Sequence, residues 1–252
     1  MADDAHWTLL LAELERWRAA GKRASLWLRD DDATEPTPAL DRLLALGERY
    51  SLPVTLAVIP AFTGEPLARR LDQAPLATVT VHGWSHRNHA AAGEKKQELG
   101  AHRPRQTVIR ELEKGLAVLG ALYPRRLAPV LVPPWNRIDA DLIPELGELG
   151  FRALSVYGPE RDSPLRQINT HIDLMDWHGT RGGRDHALLV SDIVRRLAVT
   201  FESGGTVGIL AHHLAHDDKA WDFLEELFAR TAAHPACEWR PIESLVADRD
   251  QR

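Results

Sequence analysis

The chain has 252 residues, 44% of them hydrophobic and 27% charged, which suits one ordinary globular domain and excludes a disordered or fibrous polymer. A formal charge of −5 with no basic block excludes a general binder of nucleic acid or anionic membrane. The single cysteine, Cys237, excludes an intrachain disulfide framework and a cysteine zinc cluster, so metal chemistry falls to histidines and carboxylates.

The opening, Met1-Ala2-Asp3-Asp4-Ala5-His6, is acidic, and no apolar run approaches the roughly 18 residues of a membrane span; the expectation is a soluble cytoplasmic protein. Leucines and Trp17 at helical spacing predict an amphipathic helix over 7–20, ending near Gly21. Ser25-Leu26-Trp27-Leu28 reads as a buried strand running straight into Arg29-Asp30-Asp31-Asp32. Pro36 and Pro38 fit the first turn of a helix, with Thr37 as cap and Leu40, Leu43, Leu44 and Leu46 as its apolar face. A second apolar strand over 54–59 stops at Pro60, a short helix covers 65–72, and a third strand covers 78–81. Residues 88–103 read as a long polar loop, in which Glu94-Lys95-Lys96-Gln97-Glu98 is expected to be solvated, with binding of an anionic or amide ligand group as the alternative.

Beyond the loop, a helix over 107–122 leads to a strand over 127–132 that Pro133-Pro134 cuts. A helix over 139–149 closes at Gly150, and short strands follow over 153–157 and 167–175. A Gly-rich loop precedes a helix from about 185 to 200, then come a strand over 206–211, a helix over 221–232, and a tail over 239–246 that packs back on the body. Strand and helix alternate about seven times, and strands apolar on both faces belong in a parallel sheet covered by helices. No linker or repeat divides the chain, so residues 1–252 are expected to form one α/β domain, a barrel in preference to an open sheet.

Polar residues gather where the strands end: Asp30 to Asp32, His82 and His86, Pro133-Pro134-Trp135, Asp173 to Trp177, and His212-His213. In a parallel barrel those ends share the rim on which active sites are built. Three adjacent carboxylates suit a turn or cap, but after a buried strand they call for a cation. His82 and His86 with one aspartate oxygen make a three-ligand set that leaves a coordination position open. One of His212 and His213 is suited to act as an acid across the rim, and either could instead be buried or capping. Trp135 and Trp177 are core aromatics or the walls of a pocket.

In order and residue type these segments resemble the motifs of the polysaccharide deacetylase (NodB-like carbohydrate esterase) family, over 28–213. The first family motif, Thr-Phe-Asp-Asp-Gly, falls on Arg29-Asp30-Asp31-Asp32-Ala33, and the second, His-(Ser/Thr)-x-x-His, falls on His82-Gly83-Trp84-Ser85-His86. The third, Arg-Pro-Pro-Tyr-Gly, falls on Val132-Pro133-Pro134-Trp135-Asn136, the fourth on Asp173-Leu174-Met175-Asp176-Trp177, and the fifth on Leu210-Ala211-His212.

The resemblance implies a distorted (β/α)7 barrel that removes an acetyl group from an N-acetylated or O-acetylated carbohydrate. It implies one divalent ion, zinc first, on Asp32, His82 and His86, with Asp31 as general base and His212 as general acid. The metal and the backbone N–H of Trp135 would hold the oxyanion, Asp176 would orient His212, and Trp135 and Trp177 would line the acetyl pocket. Pro134 and His213 are expected as supports. The departures are Val132 where the family has the arginine that pairs with the base, for which Arg29 and Arg137 are the available substitutes, and Ala33, Gly83 and Asn136 at other motif positions. Two further readings stay open: a metal-dependent amidase on a non-sugar ureide or imide, and a catalytically silent carbohydrate-binding barrel. A glycan or small molecule is the expected partner, without nucleic acid or membrane, and the oligomeric state is not legible.

Overall fold

The computed structural model describes residues 5–248, so the outermost residues of the expected 1–252 unit lie outside the described residues. Seven strand positions, all parallel, curl into a distorted barrel. Its first strand, β1 (Ala24–Ala33), is flanked by β2 (Val54–Val58) and β8 (Thr206–Ala211), and it also pairs at its start with β9 (Cys237–Trp239). Beyond β2 follow β3 (Ala77–His82), β4 (Leu127–Val132) and β5 (Ala153–Leu154).

The strand expected over 167–175 is a single extended stretch that changes partner midway. Its start, β6 (Arg166–Gln167), pairs with β5, and its end, β7 (Ile172–Asp173), pairs with β8. Between them Thr170 N–H donates to Val156 O at 3.0 Å, and the next amide, His171 N–H, donates to Gly208 O at 2.7 Å. This stretch therefore links the two ends of the curled sheet.

Helices cover the outside: α1 (Ala5–Ala19), α2 (Pro38–Tyr50), α3 (Glu65–Asp72), α4 (Arg105–Leu122), α6 (His186–Ser203) and α7 (Asp218–Thr231). In α2, Thr37 caps as expected, accepting from Leu40 N–H, and Pro38 takes the first helical position; Pro36 lies outside the helix. The helix expected over 139–149 is shorter. A 3₁₀ turn at Ala140–Leu142 runs into a single α turn, α5 (Ile143–Leu146), and the chain turns at Gly150 with φ +102°.

Strand alternation sorts the core into two layers. Outward residues such as Leu26, Leu28, Val79, Val81, Val207 and Ile209 pack beneath the helices. Inward residues Trp27, Val130, Ala153 and Ile168 meet Ile242 and Leu245 of the last helix, α8 (Ile242–Ala247), which plugs the barrel at the strands' N-terminal end. The tail thus returns to the body as expected, and Thr78 on the inner face of β3 bonds Glu243 of α8 at 2.6 Å. Inside, Gly208 must lack a side chain, because a Cβ there would lie 2.5 Å from Asn169 O and 2.6 Å from Trp27 Nε1. No helix among the described residues is long and apolar enough to cross a membrane.

Candidate metal centre and active-site rim

The same alternation separates the three aspartates of β1 and gives each its own partner. Arg29 and Asp31 both face the barrel interior and form a buried two-point ion pair, Nε to Oδ1 at 2.8 Å and Nη2 to Oδ2 at 3.0 Å. Arg29 also donates to Ser155 Oγ on the far wall at 2.8 Å and to Asn136 Oδ1 at 2.7 Å. Of the two arginines proposed to replace the motif arginine missing at Val132, Arg29 is therefore the one beside Asp31. Arg137 reaches Lys96 O instead.

Asp30 faces outward and takes both the backbone N–H of His213, at 2.7 Å, and its Nδ1, at 2.5 Å. Asp32 should by alternation also point outward, but the β1–β2 register shifts between Asp30 and Ala33, and Asp32 has φ +75°. Such a bulge re-aims a side chain. Here it brings Asp32 Oδ1 to 3.1 Å from His82 Nε2 and 3.2 Å from His86 Nε2.

Asp32, His82 and His86 offer ligand atoms that all lie within 4.8 Å of one another. Hydrogen bonding tests whether they suit a cation. His82 Nδ1 lies 2.9 Å from Val132 O, and a carbonyl only accepts, so Nδ1 carries the proton and Nε2 of the neutral ring presents a lone pair to a carboxylate. Two lone pairs face to face need a second proton or a metal ion between them. Burial alone would raise the Asp32 carboxyl, yet the hydrogen bond and charge of His82, with the charges of His86 and His212, hold it well below the usual carboxylate range. Burial would lower His82, but the charges of Asp31 and Asp32 raise it. Burial and the neighbouring His82 charge lower His86. Two imidazoles and one carboxylate fit a divalent ion of the zinc type with coordination positions left open.

His212 follows Gly208 and Leu210 on the inner face of β8 and reaches the rim partly exposed, whereas His213 is 2% exposed on the outer face. Alternation places the two differently: His213 is buried and ties β8 to β1 through Asp30, while His212 is the one that reaches the rim. The His212 ring meets Trp177 edge-on at 4.7 Å, and its Nδ1 is buried without a hydrogen-bond partner among the described residues.

Asp176, expected to orient His212, instead receives the N–H groups of Gly179 and Thr180 at 3.0 and 2.9 Å, shaping its own turn. Asp173 accepts Trp177 Nε1 at 2.9 Å and, like Asp32, feels the His212 charge; burial nevertheless keeps the Asp173 pKa raised.

Trp135 and Asn136 both adopt left-handed backbone, φ +55° and +56°, immediately after Pro133-Pro134. Trp135 stands 4.3 Å from the His86 ring and, with Tyr157, Asp173, Trp177 and Arg184, lines a cleft of about 540 Å³. Pro134 is buried and packs behind the metal loop, where a Cβ on Gly83 would lie 2.7 Å from its ring. The expectation of a solvated loop over 94–98 fails at its last residue: Glu98 is 0% exposed and bonded to the loop between His82 and His86. Its sequence signal was faint, a lone Leu99 after a polar run. Ser155 is 126 positions from Arg29 and carried none.

Neither family sequence models nor curated proteins match the sequence. Solved structures do match the fold. A protein of Mycobacterium smegmatis assigned as a polysaccharide deacetylase aligns with TM-score 0.68 at 16% identity, covering 90% of each chain. A family 4 carbohydrate esterase of Streptomyces lividans, in complex with acetate, aligns with TM-score 0.56 at 13% identity, covering 85% of this chain and 90% of that one. A mutant with restored activity of BA3943, a pseudoenzyme of the same esterase family, aligns with TM-score 0.61 at 14% identity, covering 89% and 67%. The chain therefore carries the polysaccharide deacetylase fold, a distorted (β/α)7 barrel in a single domain, over 90% of its length.

Proposed function

We propose that the protein is a metal-dependent deacetylase that hydrolyses an N-acetyl or O-acetyl group on a carbohydrate. The observation that carries this reading is the convergence of Asp32, His82 and His86 on one point of the rim, with Asp31 behind them and His212 on a neighbouring strand. Asp32, His82 and His86 would hold one divalent ion, zinc because two of the three donors are imidazoles, which when bound supplies Lewis acidity toward an acyl oxygen and toward water.

Asp31 accepts a proton from the attacking water as its oxygen adds to the acetyl carbon, and Arg29 fixes the angle of that carboxylate. The backbone N–H of Trp135 donates to the oxyanion as it develops. His212 then gives its proton to the sugar nitrogen as the C–N bond breaks. The sum is one water added across the amide, giving a free amine and acetic acid, which ionises to acetate; Asp31 then gives up its proton and His212 regains one, restoring both groups. Trp135 and Trp177 bound the space for the acetyl methyl, and the cleft between them takes the sugar ring. The presence of a base, an acid and a ligand set favours catalysis over a silent binding barrel, which needs none of the three.

The test is acetate release from acetylated sugar oligomers, with small acetamides, ureides and imides in the same panel. Acetate release that stops on chelation and in Asp31→Ala supports the reading. Release from no acetylated sugar, with turnover of a ureide or imide, replaces it by the amidase reading.

A further inference from the structure

Glu98 is a fully buried carboxylate whose partners all belong to the segment between the two candidate metal-ligating histidines. Its Oε1 accepts Ser85 N–H at 2.7 Å and Ser85 Oγ–H at 3.0 Å, and its Oε2 accepts Trp84 N–H at 3.2 Å. No lysine or arginine among the described residues pairs with this carboxylate. Arg103 reaches only the Glu98 backbone carbonyl, and its ion pair is with Glu111. A buried carboxylate satisfied by backbone donors is stable only while those donors stay where they are.

The neighbouring sequence fits this arrangement closely. Gly83 has φ +57°, and a Cβ there would lie 2.1 Å from Glu98 Oε2, so the segment passes directly over the carboxylate. Glu98 itself is held from behind: Leu99 is 0% exposed, bridges to Ile138, and accepts Asp139 N–H at 2.8 Å. His86, the residue after Ser85, has φ +55°, a conformation that a residue with a side chain holds only when its surroundings fix it.

We infer that Glu98 is the positioning residue of the metal centre: it clamps the Gly83–Ser85 turn and thereby sets His86 Nε2 toward the ion, while its negative charge adds to the site's attraction for a cation. The inference rests on the metal-site reading above. It gives the loop over 88–103 a task, since the loop delivers one carboxylate beneath the ligand segment. It also accounts for a glycine at position 83, where the resembled motif has a hydroxyl residue: Glu98 occupies the space that side chain would need. Glutamine at 98 keeps the size and the acceptor facing Ser85, but turns its NH₂ toward Trp84 N–H, donor against donor.

The experiment is calorimetric titration of metal-free protein with zinc alone, for wild type, Glu98→Gln, Glu98→Asp and His86→Ala, with thermal melting of each metal-free form. Outer groups that orient ligands change metal affinity by roughly 10–100-fold. The expected result is one zinc per wild-type chain, binding about 10–100-fold weaker in Glu98→Gln, with the metal-free variant still melting cooperatively at a temperature below wild type. The absorption of the cobalt-substituted variant should also shift, because ligand geometry changes. Zinc affinity and cobalt spectrum unchanged in Glu98→Gln, with His86→Ala weakened, overturn the positioning role and leave the metal site standing. Should Glu98→Gln fail to fold, the same comparison is made on Glu98→Asp, whose shorter arm must weaken zinc for the inference to hold. Absence of zinc binding to wild type overturns both.

Discussion

Arg29 and Asp31 sit two residues apart on β1, on the same inner face, and form a two-point ion pair at 2.8 and 3.0 Å with neither side chain open to solvent. The pair is local in sequence, yet Arg29 also spans the barrel to Ser155 and reaches Asn136 beside Trp135. One guanidinium thereby links the proposed base, the far wall and the left-handed turn of the rim. Removing one partner of such a pair leaves a buried charge, which costs about 3–5 kcal/mol. Arg29→Met should lower stability by that order in urea melts and abolish turnover. Arg29→Lys keeps a charge but loses the planar fork, so it should recover part of the stability and little of the rate.

The two adjacent histidines should separate cleanly on mutation. His213 is bonded to Asp30 by backbone and ring, so His213→Ala should destabilise by about 3–5 kcal/mol. His212→Asn, at the half-buried rim, should melt near wild type and lose about 10²–10⁴ in kcat. Comparing melting temperature with turnover for both variants checks this; the reverse pattern would exchange their roles.

Asp173 and Asp176 should likewise differ. Asp173→Ala releases the Trp177 indole N–H that it accepts at 2.9 Å and removes one of the negative charges that act on His212, so both KM and kcat should worsen. Asp176→Ala loosens a surface turn over Gly179 and Thr180, and kcat should stay within a few-fold of wild type. Steady-state kinetics on an acetylated sugar oligomer reads both.

His216 should subtract from stability on mild acidification. Burial, with the charges of His212 and His213, lowers His216 to about 4, against the opposing pull of Asp30 and Asp217. Between pH 6.5 and about 4 this residue therefore binds more proton in the unfolded chain than in the folded one, and its contribution to stability is lost as pH falls through that window. The sign is opposite for His82 and His213, whose raised values favour the folded form on protonation. The slope from one such group is at most about 1.4 kcal/mol per pH unit. Glu160 acts in a lower window. Burial would raise it, but His171 and Arg196 bring it down to about 2, so its contribution is present above pH 4.5 and is lost as pH falls toward 2. Denaturant melts from pH 7 to 4 should show the first slope as the difference between wild type and His216→Phe.

Much of this architecture was legible in the residues, for physical reasons that can be named. Strands such as Val54–Val58 are apolar on both faces because helices cover one and the barrel core fills the other. That pattern fixed a parallel α/β barrel and placed polar strand ends on one rim. Alternation also tells which of His212 and His213 points toward the rim, once Gly208 is recognised as an inward position on the same strand. Two things escaped. The 139–149 helix collapsed to short turns, since Pro144 interrupts the amide ladder and two glycines, Gly147 and Gly150, follow. The pairing of Arg29 with Ser155 across the barrel depends on how far the sheet curls, and that of Glu98 with Ser85 on how the long loop after β3 folds back; residue spacing encodes neither.

The metal site is tested most directly by determining the protein's structure with zinc added and measuring the bound ion by anomalous scattering, alongside His82→Ala. The account predicts one ion per chain, about 2.0–2.2 Å from Asp32 Oδ1, His82 Nε2 and His86 Nε2, and none in the variant. An empty rim in zinc-soaked wild type, or equal occupancy in His82→Ala, would contradict it.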